Sequence, residues 1–311
     1  MRRSRSRSTS RRLAALLVFG SLGPAAPALA QACCAGGAAL TPARLELHED
    51  AAVGIESHAL FATGSFSPPG GYVPNPAGSS EIDLEEDLVG SVRFFDRGQV
   101  SLLVPYLATD RVVRGQGAFG SGIGDVNLGA RWDFLEAGES LHIPGIAVLA
   151  GVSTPTGRPP EAATPPLLAD ATGIGAWQLT GGVALEQTFG HHLVLDLSGL
   201  VSQRLPRHVD GIVSDLGLQL FAIAGAAWAF DAGQAIALSV VYTGEQNAVV
   251  NGQPVPQSGR GETTAALSGM LPLGDDWRLG VAVLDELQIS GLGSNLPAGY
   301  GFTLTVLWIW A

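Results

Sequence analysis

The chain has 311 residues, 46% of them apolar, with 42 Gly and a formal net charge of −11. Its 17 basic residues are all Arg, which fits a chain with little ordinary wet surface. The acidic balance excludes nucleic acid as a partner, since phosphate binding is driven by clustered basic side chains.

Residues 1–30 read as an export signal. Arg2, Arg3, Arg5, Arg7, Arg11 and Arg12 form a basic n-region, Leu13 to Leu22 a short apolar core, and Ala28-Leu29-Ala30 an A-x-A cleavage site. Removing those six Arg takes the net charge from −11 to −17. No apolar run beyond this segment is long enough for a spanning helix. Residues 31–50 read as a flexible periplasmic tail. Cys33 and Cys34 lie in it, adjacent, and cannot staple a fold. Acylation at Cys33 would want a Leu three places earlier, where Ala30 stands.

From residue 51 onward the chain alternates with a period of two, the strand signature. Ala52 to Phe61 puts Val53, Ile55, Ala59 and Phe61 on one side, Glu56 and His58 on the other. Thr63 to Ser80 is a Gly/Pro/Ser loop. Ile82 to Phe95 places Ile82, Leu84, Leu88, Val92 and Phe94 outward, with Glu86 a misfit. Asp83, Glu85, Asp87 and Arg93 take its other face. After a tight turn, Gln99 to Thr109 is the third strand, and Asp110 to Ser121 reads as a Gly-rich loop. Gly122 to Phe134 opposes Leu128, Ala130 and Trp132 to Asp125, Asn127, Arg131 and Asp133.

Ile143 to Ser153 is the fifth strand, and Thr154 to Thr172, with five Pro, is a long connection. Gly175 to Phe189 and Leu193 to Arg204 follow, the latter setting Leu193, Leu195 and Leu197 against Asp196, Ser198 and Arg204. Asp215 to Phe230, Gln234 to Glu245, Thr263 to Leu273 and Trp277 to Ser290 continue the pattern. Asp285 breaks the last apolar face, which predicts a bulge or an interface position. Gly299 to Ala311 closes the chain, with Tyr300, Phe302, Leu304, Val306, Trp308 and Trp310 on one face.

That final face is aromatic at both ends and aliphatic between, as a bilayer-crossing strand requires. Connections also alternate by parity, short after even strands and long after odd ones. Phe95, Phe134, Phe189, Phe230 and Trp277 all stand beside short turns. Backbone groups in lipid must all be paired, so a spanning sheet must close. The sequence therefore predicts an all-β protein: a closed antiparallel transmembrane β-barrel of about twelve strands over residues 51–311, both termini periplasmic. It would sit in a Gram-negative outer membrane beside lipopolysaccharide, with its C-terminal strand presented to the assembly machinery.

Gly122 to Trp132 reads GIGDVNLGARW. With its Gly-x-Gly-Asp start and small/basic/aromatic core, it resembles outer-membrane proteins associated with the meta-cleavage pathway of phenol degradation. Gly122, Gly124, Asp125, Gly129, Arg131 and Trp132 stand in the signature places. The resemblance implies passage of small, often aromatic solutes across the outer membrane. Read structurally, the glycines let the strand leave a crowded loop and Asp125 pairs with Arg131. No helix follows them, so a phosphate cradle is excluded.

The inward face is acidic. Glu56, Asp83, Glu85, Asp87, Asp125, Asp133, Glu186, Asp196, Asp215, Glu245 and Glu286 oppose Arg93, Arg131, Arg204 and Arg278. The candidate solute-facing set is Asp83, Glu85, Asp87, Arg93, Asp125, Asn127, Arg131, Asp133, Asp196 and Arg204. An acidic lumen favours cations and neutral solutes. Asp83, Glu85 and Asp87 could trap Ca²⁺ or a cationic solute, or simply be solvated acids near the outer rim. No cofactor is implied. A hydrolase needs a base beside a nucleophile. None of His58, His142, His191, His192 or His208 shares an obvious strand face with an activated Ser, so the reading is non-enzymatic. A plugged, non-conducting structural barrel is the third alternative.

Overall fold

The computed structural model describes residues 43–140, 142–209 and 211–311. The export signal, the cysteine pair and most of the expected tail lie outside these residues. Twelve staves form one closed antiparallel sheet. They are β1 (Ala51–Phe66), β2 (Ser80–Phe94), β3 (Gly98–Val113), β4 in two pieces (Gln116–Ile123 and Asn127–Leu135), β5 (Gly145–Ser153) and β6 (Gln178–Phe189). Then come β7 (Leu193–Arg204), β8 (Gln219–Ala229), β9 (Ala235–Glu245), β10 (Arg260–Pro272), β11 (Trp277–Glu286) and β12 (Pro297–Trp310). Each stave pairs with its sequence neighbours. β12 pairs with β1 from Ala51↔Trp310 to Ser65↔Pro297, which removes both sheet edges.

The alternation of the sequence becomes the inside and outside of a cylinder. On β7, Leu195 and Leu197 are 40% and 56% exposed, whereas Asp196 and Ser198 between and beyond them are buried. Leu238 on β9 is 57% exposed. These leucines therefore do not pack together in a shared interior, as a two-layered sandwich would demand. Aromatic rings collect at both rims of the outer wall. Trp277 stacks on Trp308 with ring centroids 6.0 Å apart, and Trp308 on Trp310 at 4.6 Å. At the opposite rim Phe61 stacks on Tyr300 at 5.5 Å. Tyr300 and Trp308 are separated by roughly 26 Å along β12 at 3.3 Å per residue, or about 20 Å across the bilayer at the usual strand tilt.

Short turns join β2–β3, β6–β7, β8–β9 and β10–β11, the β4–β5 connection at the same end is longer than expected, at residues 136–144, and both chain ends of the barrel lie at this turn end. The loop end departs from expectation in three places. Thr63 to Ser80 is not all loop: β1 runs on to Phe66 and pairs there with Tyr72–Pro74. Asp110 to Ser121 is not a loop: β3 and β4 continue pairing to Val113↔Gln116 around Arg114 and Gly115. Both residues have positive φ, 50° and 84°, which fits a two-residue hairpin turn. Beyond the bilayer no face must meet lipid, so pairing proceeds there without any hydrophobic alternation to announce it. Likewise Ile212–Asp215 is not the start of β8. It joins Arg207–Val209, Val249–Val250 and Gln253–Pro254 in a small separate sheet at the loop end, which takes Asp215 off the barrel wall.

The two outward acids are also placed. Asp285 keeps a continuous register, facing Ala265 on one side and Tyr300 on the other. It is therefore a rim position and not a bulge. Glu86 does face outward, where the Ser57 hydroxyl donates to it at 2.5 Å.

Placing Arg on the lipid-facing wall tests this arrangement. Leu238→Arg should lower stability in liposomes by about 2–4 kcal/mol, as charged residues at midplane do. Urea unfolding followed by tryptophan fluorescence would measure it.

Candidate functional site

The lumen is organised in three tiers along its axis. The lowest, at the turn end, is built on residues 43–50. This segment was expected to end a flexible tail, but it is packed inside the barrel. Ala43 and Leu45 are buried with Ala52, Val89, Leu103, Leu307 and Ile309. Gln99 on β3 holds its backbone: the carboxamide oxygen accepts from the Leu45 amide at 3.0 Å, and the nitrogen donates to the Ala43 carbonyl at 3.1 Å. Arg44 reaches the far wall and forms a two-pronged pair with Glu186 on β6. Arg278 on β11 pairs with Glu46 at 3.1 Å and with Glu49. Burial raises the Glu46 carboxyl above its ordinary value, with Arg278 opposing.

Several expected solute-facing residues are thereby engaged with their own chain. Arg93 donates to the Glu49 carbonyl at 2.8 Å and to the Glu46 carbonyl. Arg131 does not pair with Asp125. It pairs with Asp133 at 2.7 Å and Glu186 at 3.2 Å. Asp196 accepts a long hydrogen bond from Ser198 at 3.3 Å. A buried cation taken from water needs such partners, because its desolvation is otherwise uncompensated.

The middle tier has two clusters. On one wall, at the loop-end tips of β6 to β9 and so at the top of this tier, Arg204 is held by Glu245 at 2.7 Å and by Gln178 and Gln219, each at 3.0 Å. On the other, register sets Glu56 of β1 opposite Asp87 of β2. His58 is two residues along β1, on the same inward face. Its Nε2 lies 2.9 Å from Glu56 Oε1 and 3.4 Å from Asp87 Oδ2. Its Nδ1 lies 3.0 Å from Thr303 Oγ1 of β12. Asp83 and Glu85 stand further toward the loop end on β2. Asp83 accepts from the Thr109 hydroxyl at 2.6 Å, and Glu85 is in register with His58.

The upper tier is the mouth, and Asp125 is its anchor. β4 breaks between Ile123 and Asn127, and Asp125 sits in the gap. Its two carboxylate oxygens accept from the Gly157 amide at 2.8 Å and the Ile174 amide at 2.6 Å. Both amides belong to the 154–177 connection, which is thus drawn against the barrel. Small residues are required here: a Cβ on Gly173 would stand 2.5 Å from Asp125 Oδ1, and one on Gly157 2.6 Å from Gly173 Cα. Asn127 donates to the Asp125 carbonyl at 3.0 Å and accepts from Ser153. Within the connection, Asp170 is held to about 2. The Thr164 amide contributes most, joined by the Thr164 hydroxyl and Arg158 and opposed by partial desolvation. Gln116, Phe119, Pro166 and Leu167 help line a cavity of about 570 Å³ between this connection and the β3–β4 hairpin.

The sequence marks Glu186, Glu245 and Arg278 as inward but outside the expected solute-facing set, and it does not single out His58 or Gln99. The signal for His58 was present in its two-residue spacing from Glu56. Its partner Asp87 is supplied only by strand register.

Residues 67–305 match the family model described as "Putative MetA-pathway of phenol degradation". The crystal structure of an outer membrane channel from Pseudomonas putida F1 superposes with a TM-score of 0.70 at 14% identity, covering 85% of this chain and 97% of that one. That likeness is one of fold. The β domain of the Bordetella autotransporter BrkA gives 0.45 at 12% identity, covering 83% and 100%. A mutant of the TodX monoaromatic hydrocarbon channel gives 0.43 at 10%, covering 84% and 90%. No curated protein sequence is significantly similar to the chain.

Asp125→Ala should release the mouth connection at a local cost of about 3–6 kcal/mol, the worth of two hydrogen bonds to a charged group. Limited proteolysis should then cut within 154–177 while the barrel stays intact. The Asp170 tether has a defined acid limit. Its folded value lies below the ordinary 3.8. The tether is therefore complete above 3.8 and lost as pH falls through about 2. Hydrogen exchange at the Thr164 amide across that range would read it.

Proposed function

The chain belongs to the MetA-pathway phenol-degradation family, and on that premise we propose that it is an outer-membrane channel for small solutes, aromatic or hydrophobic compounds among them. The observation that carries this reading is the sorting of one closed sheet into two walls. The outer wall is apolar and rimmed with aromatics, and the inner wall is charged. Only a membrane-spanning cylinder stabilises that inversion, because an outer wall of exposed Leu and Val would aggregate in water. Its fold likeness to the P. putida outer membrane channel agrees.

The turn end, with both barrel termini, faces the periplasm in this reading, and the longer loops meet lipopolysaccharide. Export by the residue 1–30 signal and assembly through β12 belong to the same proposal. Of the expected solute-facing set, Asp83, Glu85 and Asp87 stand on the stretch of β2 above the lowest tier. Arg93, Arg131 and Asp133 hold the lowest tier together. A solute entering from the loop end would pass the acids of β1 and β2 before reaching residues 43–50. An acidic path of this kind favours cations and neutral molecules.

One observation favours a second reading. Residues 43–50 occupy the lumen at the turn end and are tied to opposite walls by Arg44 and Gln99. If they stay in place permanently, the barrel is structural and does not conduct. A hydrolase would instead show phospholipid or peptide turnover lost on changing one Ser or His.

Conductance in planar bilayers, with liposome swelling over aromatic, sugar and cationic solutes, decides between these readings. The channel reading expects cation-preferring current and swelling with small neutral aromatics. Folded protein that gives neither would establish the structural barrel. Gln99→Ala with Arg278→Ala should raise conductance severalfold, because both changes release the 43–50 segment.

A further inference from the structure

We propose that Glu56, His58 and Asp87 form a site for one divalent transition-metal ion of the zinc type on the inner wall of the barrel. The proposal rests on geometry and does not depend on whether the lumen conducts.

The three ligand atoms come from two paired staves. Glu56 and Asp87 face one another in register, and His58 projects from the same face of β1. One ligand atom from each lies within 4.8 Å of the other two. The two nitrogen–oxygen separations are 2.9 Å and 3.4 Å. Ligands about 2.0–2.1 Å from a central zinc are separated by about 2.9–3.4 Å at octahedral to tetrahedral angles. The two edges that run from the imidazole to the carboxylates thus already have the lengths of a coordination polyhedron.

Unsatisfied buried oxygens point the same way. Glu56 and Asp87 are 6% and 3% exposed. Asp87 Oδ1 has no hydrogen-bond partner among the described residues, and Glu56 Oε1 has only the His58 ring, at 2.9 Å. Buried carboxylate oxygens are rarely left so, since each costs its full desolvation. A proton on His58 Nε2 can serve Glu56 Oε1 at 2.9 Å, whereas Asp87 Oδ2, at 3.4 Å, is too far for a second good hydrogen bond, and Oδ1 of the same carboxylate has none. A divalent cation at the centre would meet both carboxylates and match their combined charge.

The surroundings orient the ligands as a metal site requires. Thr303 contacts His58 Nδ1 at 3.0 Å, which leaves Nε2 toward the carboxylates. The Thr305 hydroxyl donates to Glu56 Oε2 at 2.7 Å and turns Oε1 toward the imidazole. His58 keeps 28% of its side chain exposed, so an ion can arrive from the lumen. The imidazole selects against Ca²⁺ and Mg²⁺, which take oxygen ligands, and for zinc and its neighbours. Asp83 turns to Thr109, and Asp87 turns to His58.

The test is isothermal titration of the chelator-stripped, full-length folded chain in detergent with ZnCl₂ at pH 7. The expected result is one saturable zinc per chain, weakened at least about tenfold in Glu56→Gln, Asp87→Asn and His58→Ala, since even outer-shell losses cost that much. His48→Ala, in the separate Glu46–His48–Glu49 group, should leave the affinity unchanged. A readout needing no variant accompanies it: zinc should protect His58 of the wild-type chain from diethyl pyrocarbonate, mapped by mass spectrometry. No stoichiometric binding, or binding that neither protects His58 nor responds to the three substitutions, would overturn the proposal and leave an imidazolium held between two acids.

Discussion

Every backbone donor and acceptor of a stave that crosses lipid must find a partner in another stave. The pairing of β1 with β12 is what meets that demand here, and it runs along nearly the whole length of both. Without it the sheet would have two open edges in hydrocarbon. With it, side chains have only two destinations, lipid or lumen, and a one-residue slip would exchange them. The register of twelve staves is thus the quantity that the rest of the molecule inherits.

Closure also creates a confined interior, and the chain fills it with charge. Inner-wall Arg residues are met by acids or backbone carbonyls: Arg204 by Glu245, Arg131 by Asp133 and Glu186, Arg278 by Glu46 and Glu49. Such pairs add little net stability, because desolvation offsets attraction. They do fix geometry. The lowest tier shows this best, since the 43–50 segment has few apolar anchors of its own and is located by Gln99, Arg93, Arg44 and Arg278. Paired charge there is a positioning device, whereas the acids higher on β1 and β2 are held by His58 and by Thr hydroxyls.

The mouth obeys different physics. Outside the bilayer no wall must be apolar, so strands run on as a hairpin through Gly-rich sequence and a small sheet forms from pieces of two to four residues. Asp125 belongs to this region. Its carboxylate replaces missing backbone partners where β4 is interrupted, and the glycines around it allow two backbones to meet.

The sequence by itself determined the staves, their number and which face of each meets lipid. A period of two with aromatic tips is imposed residue by residue by the solvent on each side, so it is written locally. Leu195 against Asp196, and Trp308 against Leu307, are legible without any partner strand. What joins across the lumen is not local. Asp125 reaches the 154–177 connection and not Arg131, His58 meets Asp87 from the neighbouring stave, and Arg44 crosses to Glu186. Those contacts depend on register, curvature and the distance between walls, and a linear pattern of alternating side chains contains none of the three.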